Sequence, residues 1–144
     1  MEPEISVIVP IYNEEQNIPE LYRRLHATVS EITPNYEFIF VNDGSKDNSL
    51  FQLIKLANEK PHVYYISFSR NFGHQIAVSA GIDTCKGKAV VIMDGDLQDP
   101  PELIKELYSK YKEGYEVVYA RRASRKGESF FKKFTAKLFY RILK

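Results

Sequence analysis

Three aspartates follow an apolar stretch of this chain within six residues. The stretch is VVIM (90–93), and Asp94, Asp96 and Asp99 come directly after it. In an extended backbone, residues two apart point to the same side, so Asp94 and Asp96 can offer oxygen ligands to Mg²⁺ or Mn²⁺. Gly95 between them would let a ligand approach the backbone. The alternative is a solvated acidic loop before the next helix, because a D-x-D pair alone is a weak motif.

A divalent cation at this pair would imply a phosphorylated ligand. Mg²⁺ usually takes one or two carboxylates from the protein and completes its coordination shell with water and phosphate oxygens. The pair therefore predicts a diphosphate ligand. The chain contains neither G-x-G-x-x-G nor G-x-x-x-x-G-K-[ST], so dinucleotide-binding and P-loop sites are disfavoured.

Strand and helix patterns alternate along the chain with short connections. This alternation predicts an α/β fold with right-handed crossovers, a mostly parallel sheet and helices on both faces. Helical patterns follow the first four predicted strands, and the last of these helices begins at two prolines and ends at Gly114. The predicted strands are ISVIV (5–9), YEFIFV (36–41), VYYISF (63–68), AVVIM (89–93) and EVVYA (116–120).

Polar segments follow the first four predicted strands. In open parallel sheets, ligands bind at the carboxyl ends of the strands, so these segments should line one edge. The segments are PIYNE (10–14), VNDGS (41–45), SRNFGHQ (69–75) and MDGDLQD (93–99).

Several residues in or near these segments also have ordinary structural explanations. Asp43 is typical of a turn, and Ser45 is a candidate helix cap. His74 alone is more often structural or loop-exposed than a catalytic base. Tyr12 fits either an interface ring or a ring that stacks on a base, and Cys85 fits a small packed residue.

Composition and length indicate one soluble domain. The chain has 144 residues, of which 44% are hydrophobic and 27% charged, which is ordinary for a globular protein. Its single cysteine excludes an internal disulfide. No secretory signal and no stretch near the roughly 20 apolar residues of a membrane span is visible. The sequence therefore predicts a soluble, cytosolic polypeptide.

Charge is segregated along the chain. Residues 1–120 carry 11 Lys and Arg against 18 Asp and Glu, a net charge of −7. Residues 121–144 carry nine basic residues against one acidic residue, a net charge of +8. We therefore divide the chain into a ligand-binding core (1–120) and a basic loop followed by an amphipathic helix (121–144). Such asymmetry predicts an anionic partner for the second part.

The amphipathic segment SFFKKFTAKLFYRILK (129–144) leaves two explanations open. It can lie at a membrane interface, or it can pack onto a further domain, because amphipathicity alone does not separate the two. Its apolar stripe has no later element to pack against. We therefore expect the fold to be truncated on its C-terminal side.

Four motifs together resemble a known family. PIYNE, VNDGSKDNS, SRNFGHQIAVSAGID and MDGDLQDPPE are similar to the motifs of glycosyltransferase family 2, whose members have the GT-A fold. The closest resemblance is to the polyprenyl-phosphate branch, which includes bactoprenol glucosyltransferases and dolichol-phosphate mannose synthases. SRNFGHQ, DLQDPPE and RKGESFFKK carry the likeness to that branch, and the resemblance runs from about residue 5 to the end.

The resemblance implies which residues hold the nucleoside. Positions that hold the nucleobase and ribose in the family correspond here to Pro10, Tyr12, Glu14 and Asp43, and Asn13 is a further candidate for substrate binding.

The resemblance also implies which residues serve the phosphates. Asp94 and Asp96 match the D-x-D pair that meets the nucleotide diphosphate through Mg²⁺ or Mn²⁺, and Gln98 matches a polar residue of the same loop. Asp96 and Arg122 are the implied catalytic positions, with Arg122 facing the phosphates. Lys132 or Lys133 would serve the acceptor phosphate.

The implied reaction is an inverting transfer of a sugar from a nucleotide sugar to a lipid phosphate. UDP-glucose is the favoured donor and polyprenyl (undecaprenyl) phosphate the favoured acceptor, at the cytoplasmic face of the cell membrane. A phosphate monoester has its second pKa near about 6, so the acceptor is mostly dianionic at neutral pH and needs no strong base. Members of this branch carry more catalytic domain, and often two membrane-spanning helices, after the point where this sequence stops.

Three other functions are weighed against this one. A family relative could use a polysaccharide or soluble acceptor, and a truncated chain could bind nucleotide sugar without catalysis. Nucleic-acid binding through the basic segment is disfavoured, because the acidic core offers no groove for a polyanion.

Overall fold

Four strands and four helices alternate through residues 2–121, the part of the chain that the computed structural model describes. Their bounds are β1 Ile5–Ile11, α1 Ile18–Ser30, β2 Tyr36–Asn42, α2 Ser49–Glu59, β3 Val63–Ser67, α3 His74–Thr84, β4 Ala89–Ile92 and α4 Leu103–Lys112. The predicted α/β alternation is confirmed, and the first four strand predictions agree with the structure to within two residues at each end.

The sheet is parallel throughout, with strand order β3-β2-β1-β4. The chain moves from β1 outward to β2 and β3, and then returns across the sheet to place β4 on the other side of β1. Since crossovers are right-handed, this reversal places α3 on the face opposite to α1 and α2. The core contacts agree, because Leu25 of α1 and Leu53 of α2 pack in one cluster while Ala77 of α3 packs in the other.

Alternation along β1 distributes its side chains between the two faces. Ile5, Val7 and Val9 are buried in the cluster with α1, α2 and α4, whereas Ile8 is buried under α3. Each of these side chains is fully buried, which stabilises the fold by about 1.5 to 3 kcal/mol per side chain. Both faces of β1 are therefore covered, as its mostly apolar sequence predicts.

The predicted fifth strand (116–120) is wrong. These residues have no regular secondary structure, and the side chains of Val117 and Tyr119 are 82% and 80% exposed. Among the described residues the segment pairs with no other strand. β-propensity reflects packing on a sheet, and it does not hold a strand that lacks a neighbour.

No helix between residues 2 and 121 is both long and apolar enough to cross a membrane.

A buried glutamate ties the amino ends of β1 and β2 to the segment before β4. The hydroxyl of Ser6 donates to Oε1 of Glu37 (2.6 Å), and the backbone N–H of Lys86 donates to the same oxygen (2.7 Å). The N–H of Gly87 donates to Oγ of Ser6 (2.7 Å). This network lies at the edge of the sheet opposite to the polar strand ends, so it serves the fold.

We expect Glu37→Ala to lower the free energy of unfolding by about 2 kcal/mol or more, because the substitution leaves buried donors without an acceptor. The measurement is urea denaturation. Glu59→Ala is the matched control, since Glu59 is an exposed helix residue whose removal should change stability by about 0.5 kcal/mol or less. Equal midpoints for the two variants would contradict this role of Glu37.

Two histidine rings stack between α1 and the start of β3. The ring centroids of His26 and His62 are 5.3 Å apart with an interplanar angle of 14°. The hydroxyl of Tyr22 lies 3.1 Å from Nε2 of His62, and that of Tyr36 lies 2.7 Å from Nδ1 of His26. Burial lowers the pKa of His62, and the nearby His26 and Lys60 lower it further.

Stability should therefore fall with acidification over a defined range. The unfolded chain takes up a proton at His62 near pH 6.5, whereas the folded chain resists it until a lower pH. We expect the wild-type Tm to be lower at pH 5 than at pH 7.5, and His62→Phe to reduce this difference. The same pH dependence in both proteins, measured by thermal unfolding, would count against this explanation.

Candidate functional site

A cavity of about 310 Å³ opens at the carboxyl ends of β1, β2 and β4. In parallel sheets this edge binds ligands where the strand order reverses, and here the reversal falls between β1 and β4. The cavity is lined by Pro10, Ile11, Tyr12, Glu14, Asp43, Asn71, Gly73, His74, Asp94, Gly95 and Asp96.

Most of the residues singled out from sequence meet in this cavity. Those that line it are Pro10, Tyr12, Glu14, Asp43, Asp94 and Asp96. Two others, Asn13 and Gln98, are not among the lining residues. Arg122, Lys132 and Lys133 lie outside the described residues, so their roles stay predictions.

Asn13 fastens the loop after β1 to the loop after β2. Its N–H donates to Oγ of Ser45 (3.0 Å), and its Oδ1 accepts from the N–H of Lys46 (2.7 Å). Asn13 has a φ of 55°, a conformation that asparagine tolerates better than most residues. The expected capping role of Ser45 is wrong, because α2 begins at Ser49 and the Ser45 hydroxyl is used between the loops.

Glu15 makes the second set of contacts between the same loops. Its N–H donates to Oδ2 of Asp47 (3.1 Å), its Oε2 accepts from the N–H of Asn48 (2.8 Å), and its carbonyl accepts from Nε2 of Gln52 (2.7 Å). Burial raises the pKa of Asp47, but hydrogen bonds from Ser49 and Glu15 outweigh it and leave that pKa below its usual value. The two loops form one unit that positions Tyr12 and Glu14.

Asp43 holds the third loop of the site. Its side chain is buried, and its two carboxylate oxygens accept the N–H groups of Phe72 (2.7 Å) and Gly73 (3.1 Å). The neighbouring Gly44 has a φ of 68°, and a Cβ built there would lie 2.3 Å from the backbone carbon of Arg70. Turn chemistry therefore explains only part of NDGS, because Asp43 bonds across to the loop after β3.

Asp94 and Asp96 follow β4 and face the cavity. The side chain of Asp94 is half exposed, and Oδ1 of Asp96 accepts the N–H of Gln98 (3.0 Å), which fixes the orientation of that carboxylate. A Cβ at Gly95 would lie 2.6 Å from Cδ1 of Ile11, so a larger residue here would have to displace the end of that side chain. This is a reason for Gly95 that the sequence did not reveal.

The acidic side chains of the cavity suit a hard cation that takes only one or two of its ligands from the protein. Within residues 2–121, no group of three or more His, Cys, Asp or Glu side chains is arranged to hold a metal ion. Zinc sites need three or four protein ligands, whereas Mg²⁺ needs only one or two carboxylates beside phosphate and water oxygens. Asp94 and Asp96 would hold such an ion, and its charge would stabilise negative charge on a leaving diphosphate.

His74 is a lining residue that sequence reasoning underrated. Its Nδ1 lies 3.8 Å from Oδ1 of Asp94, and the side chains of both residues are about half exposed. Its position within SRNFGHQ, one of the four polar strand ends, is the signal that could have identified it.

The comparison with protein families agrees with this geometry. The profile described as "Glycosyl transferase family 2" matches residues 6–143. The chain belongs to glycosyltransferase family 2. Among family relatives, the uncharacterized glycosyltransferase YkcC of Bacillus subtilis is 58% identical over 96% of this chain. The undecaprenyl-phosphate 4-deoxy-4-formamido-L-arabinose transferase of Proteus mirabilis is 42% identical over 93% of it.

Solved structures confirm the GT-A fold. Crystal structures of S. aureus TarS residues 1–349 match 85% of this chain and 38% of that one, with a TM-score of 0.65 and 24% identity. The mannosyltransferase PcManGT of Pyrobaculum calidifontis matches 67% of this chain and 28% of that one, with a TM-score of 0.51 and 22% identity.

The chain spans less than half the length of the family relatives it matches. It covers 43% of YkcC and 41% of the Proteus transferase.

Proposed function

We propose that this chain forms the nucleotide-sugar-binding part of an inverting glycosyltransferase that transfers a sugar, with glucose from UDP-glucose favoured, to a polyprenyl phosphate. The observation that carries the proposal is the cavity at the switch between β1 and β4. It brings Asp94 and Asp96 to the same space as Tyr12 and Asp43. A carboxylate pair that would bind a metal ion with its diphosphate therefore shares one cavity with a ring that would stack on a nucleobase, which supports the proposal.

Ligands named for the structural relatives support a nucleotide-sugar donor. TarS has been solved in complex with UDP-GlcNAc and with UDP. PcManGT has been solved in complex with GDP-Man and Mn²⁺. We therefore assign Asp94 and Asp96 to the diphosphate and its Mg²⁺ or Mn²⁺. Tyr12, together with Pro10 and Glu14, is assigned to the nucleoside.

Two observations support a lipid-phosphate acceptor. The Proteus relative, which matches 93% of this chain, is named for undecaprenyl phosphate. The motifs SRNFGHQ, DLQDPPE and RKGESFFKK resemble those of the same branch. A polysaccharide or soluble acceptor remains the alternative, and an assay with both acceptor classes separates them.

The chemistry follows from the charges of the two substrates. An oxygen of the acceptor phosphate attacks the anomeric carbon from the side opposite to the diphosphate. The new C–O bond forms as the bond to the diphosphate breaks, which inverts the configuration. The acceptor oxygen is already ionised at neutral pH, so the residues of the cavity need only bind and orient the two substrates.

Isothermal titration calorimetry with UDP, GDP and UDP-glucose, with and without Mn²⁺, tests the donor site. We expect uridine nucleotides to bind, and their affinity to rise in Mn²⁺. Binding of no nucleotide under either condition would contradict a donor site in this chain. Binding that is indifferent to Mn²⁺ would contradict the metal assignment.

We further propose that the basic segment (121–144) associates with the anionic cytoplasmic face of the membrane. Each Lys or Arg near such a surface contributes about 1 kcal/mol to the free energy of membrane binding. We expect the chain to sediment with vesicles that contain anionic lipid, and the bound fraction to fall as salt is added.

A variant that changes Lys133, Lys137 and Arg141 to glutamine should sediment less, and Lys55→Gln in α2 is the control for a single exposed charge. If vesicles with anionic lipid do not raise sedimentation above the level without vesicles, the result contradicts membrane association and favours packing onto a further domain.

A further inference from the structure

We propose that His74 is a donor-site residue that contacts the diphosphate of the nucleotide sugar beside Asp94. This inference rests on the proposed function, and it assigns to the site a residue that neither the family motifs nor the sequence patterns assigned to the ligand.

The position of His74 is the first argument. Nδ1 of His74 lies 3.8 Å from Oδ1 of Asp94, which is too long for a hydrogen bond and short enough for both groups to reach the same ligand. Both residues line the cavity. The His74 side chain is 53% exposed, so it contributes little to the hydrophobic core and is accessible to a ligand in the cavity.

The second argument is that the structure holds His74 in place. It is the first residue of α3, directly after Gly73, whose φ of 102° is a conformation that favours glycine. The N–H of Gly73 donates to Oδ2 of the buried Asp43. The Asp43 carboxylate therefore fixes the backbone from which the His74 ring extends.

The third argument is the hydrogen-bonding inventory of the cavity. Glu14, Asp43, Asp94 and Asp96 are carboxylates, which accept hydrogen bonds when ionised, and the lining side chains that can donate are those of Tyr12, Asn71 and His74. Phosphate oxygens accept hydrogen bonds, and of these three donors His74 is the one whose ring nitrogen lies 3.8 Å from an oxygen of Asp94. An imidazole carries an N–H donor in every protonation state, and His74 presents it beside the carboxylate assigned to the diphosphate.

The test compares UDP with UMP, because UMP lacks the second phosphate. In Mn²⁺, we expect His74→Ala to weaken UDP binding about tenfold, the effect of losing one hydrogen bond to a charged group. We expect UMP binding to change by less than about twofold, within the scatter of an unaffected site. His74→Gln keeps a donor and should retain more affinity for UDP than His74→Ala. Gln75→Ala is the matched control, since Gln75 is the next exposed residue of α3 and lies outside the cavity lining.

Each outcome has a defined meaning. A tenfold loss confined to UDP supports the contact. Unchanged UDP binding, or equal losses for UMP and UDP, overturns it while the donor site itself stands. A wild-type chain that binds neither nucleotide overturns the proposed function and this inference with it. If His74→Ala does not fold, the UDP and UMP affinities of His74→Gln and of His74→Leu decide by the same criterion.

Discussion

Asp96→Ala should weaken UDP binding in Mn²⁺ by at least about tenfold, since loss of even an outer partner of a metal site costs about 10- to 100-fold in affinity. Asp96 lines the cavity, and the N–H of Gln98 fixes its carboxylate. Without this carboxylate, the cation would be left with Asp94 as its ligand from the D-x-D pair. Calorimetric titration of UDP, with and without Mn²⁺, measures the effect.

The metal dependence identifies the cause. In the absence of Mn²⁺ the wild type and Asp96→Ala should bind UDP with similar affinity, because the carboxylate then has no cation to hold. Asp83→Asn is the control, since Asp83 is an exposed aspartate at the end of α3, away from the cavity lining. If Asp96→Ala binds UDP as tightly as the wild type in Mn²⁺, the metal role assigned to Asp96 is wrong.

Gly44→Ala should lower the free energy of unfolding by about 3 kcal/mol and also weaken UDP binding. Two effects combine here. A non-glycine residue in the left-handed region costs about 1 to 2 kcal/mol. The added Cβ would also lie 2.3 Å from the backbone carbon of Arg70, so the loop after β3 must shift. That shift would move Asn71 and His74 out of the cavity.

Gly114→Ala separates these two effects. Gly114 has a φ of 104°, and a Cβ built there meets nothing within 4 Å. Gly114→Ala should therefore lower the free energy of unfolding by only about 1 to 2 kcal/mol, which is the effect of the positive φ alone. UDP binding should not change. Chemical denaturation measures both variants. If they lose the same stability, close packing between Gly44 and the third loop is not what constrains this position.

The location of the site was predictable because it depends on local patterns. Apolar strands alternate with helices, and each of the four strands is followed closely by polar residues. Parallel strands bring those ends to one edge whatever their order. The sequence therefore placed Asp43 and Asp94 at the same edge without any contact being known.

The contacts inside the site were not predictable, because each joins residues far apart in the chain. Local spacing makes Asp43 typical of a turn and the family motif assigns it to the nucleoside, yet its carboxylate holds Phe72 and Gly73, about 30 residues later. Ser45 was expected to cap a helix, yet it accepts from Asn13. Short polar side chains suit both local and distant partners, and local spacing carries no information about which partner is used.

The class of fold, the family and the acidic pair Asp94 and Asp96 could all be inferred without a structure. Periodicity and motifs are local properties, and they are fully written in the order of residues. The tertiary structure decided the strand order that places β4 beside β1, and it left residues 116–120 without the strand that their composition predicts. It also brought His74 within 3.8 Å of Asp94. Such pairings are fixed by which faces become buried together when the whole chain folds, and this is decided by contacts that no short segment contains.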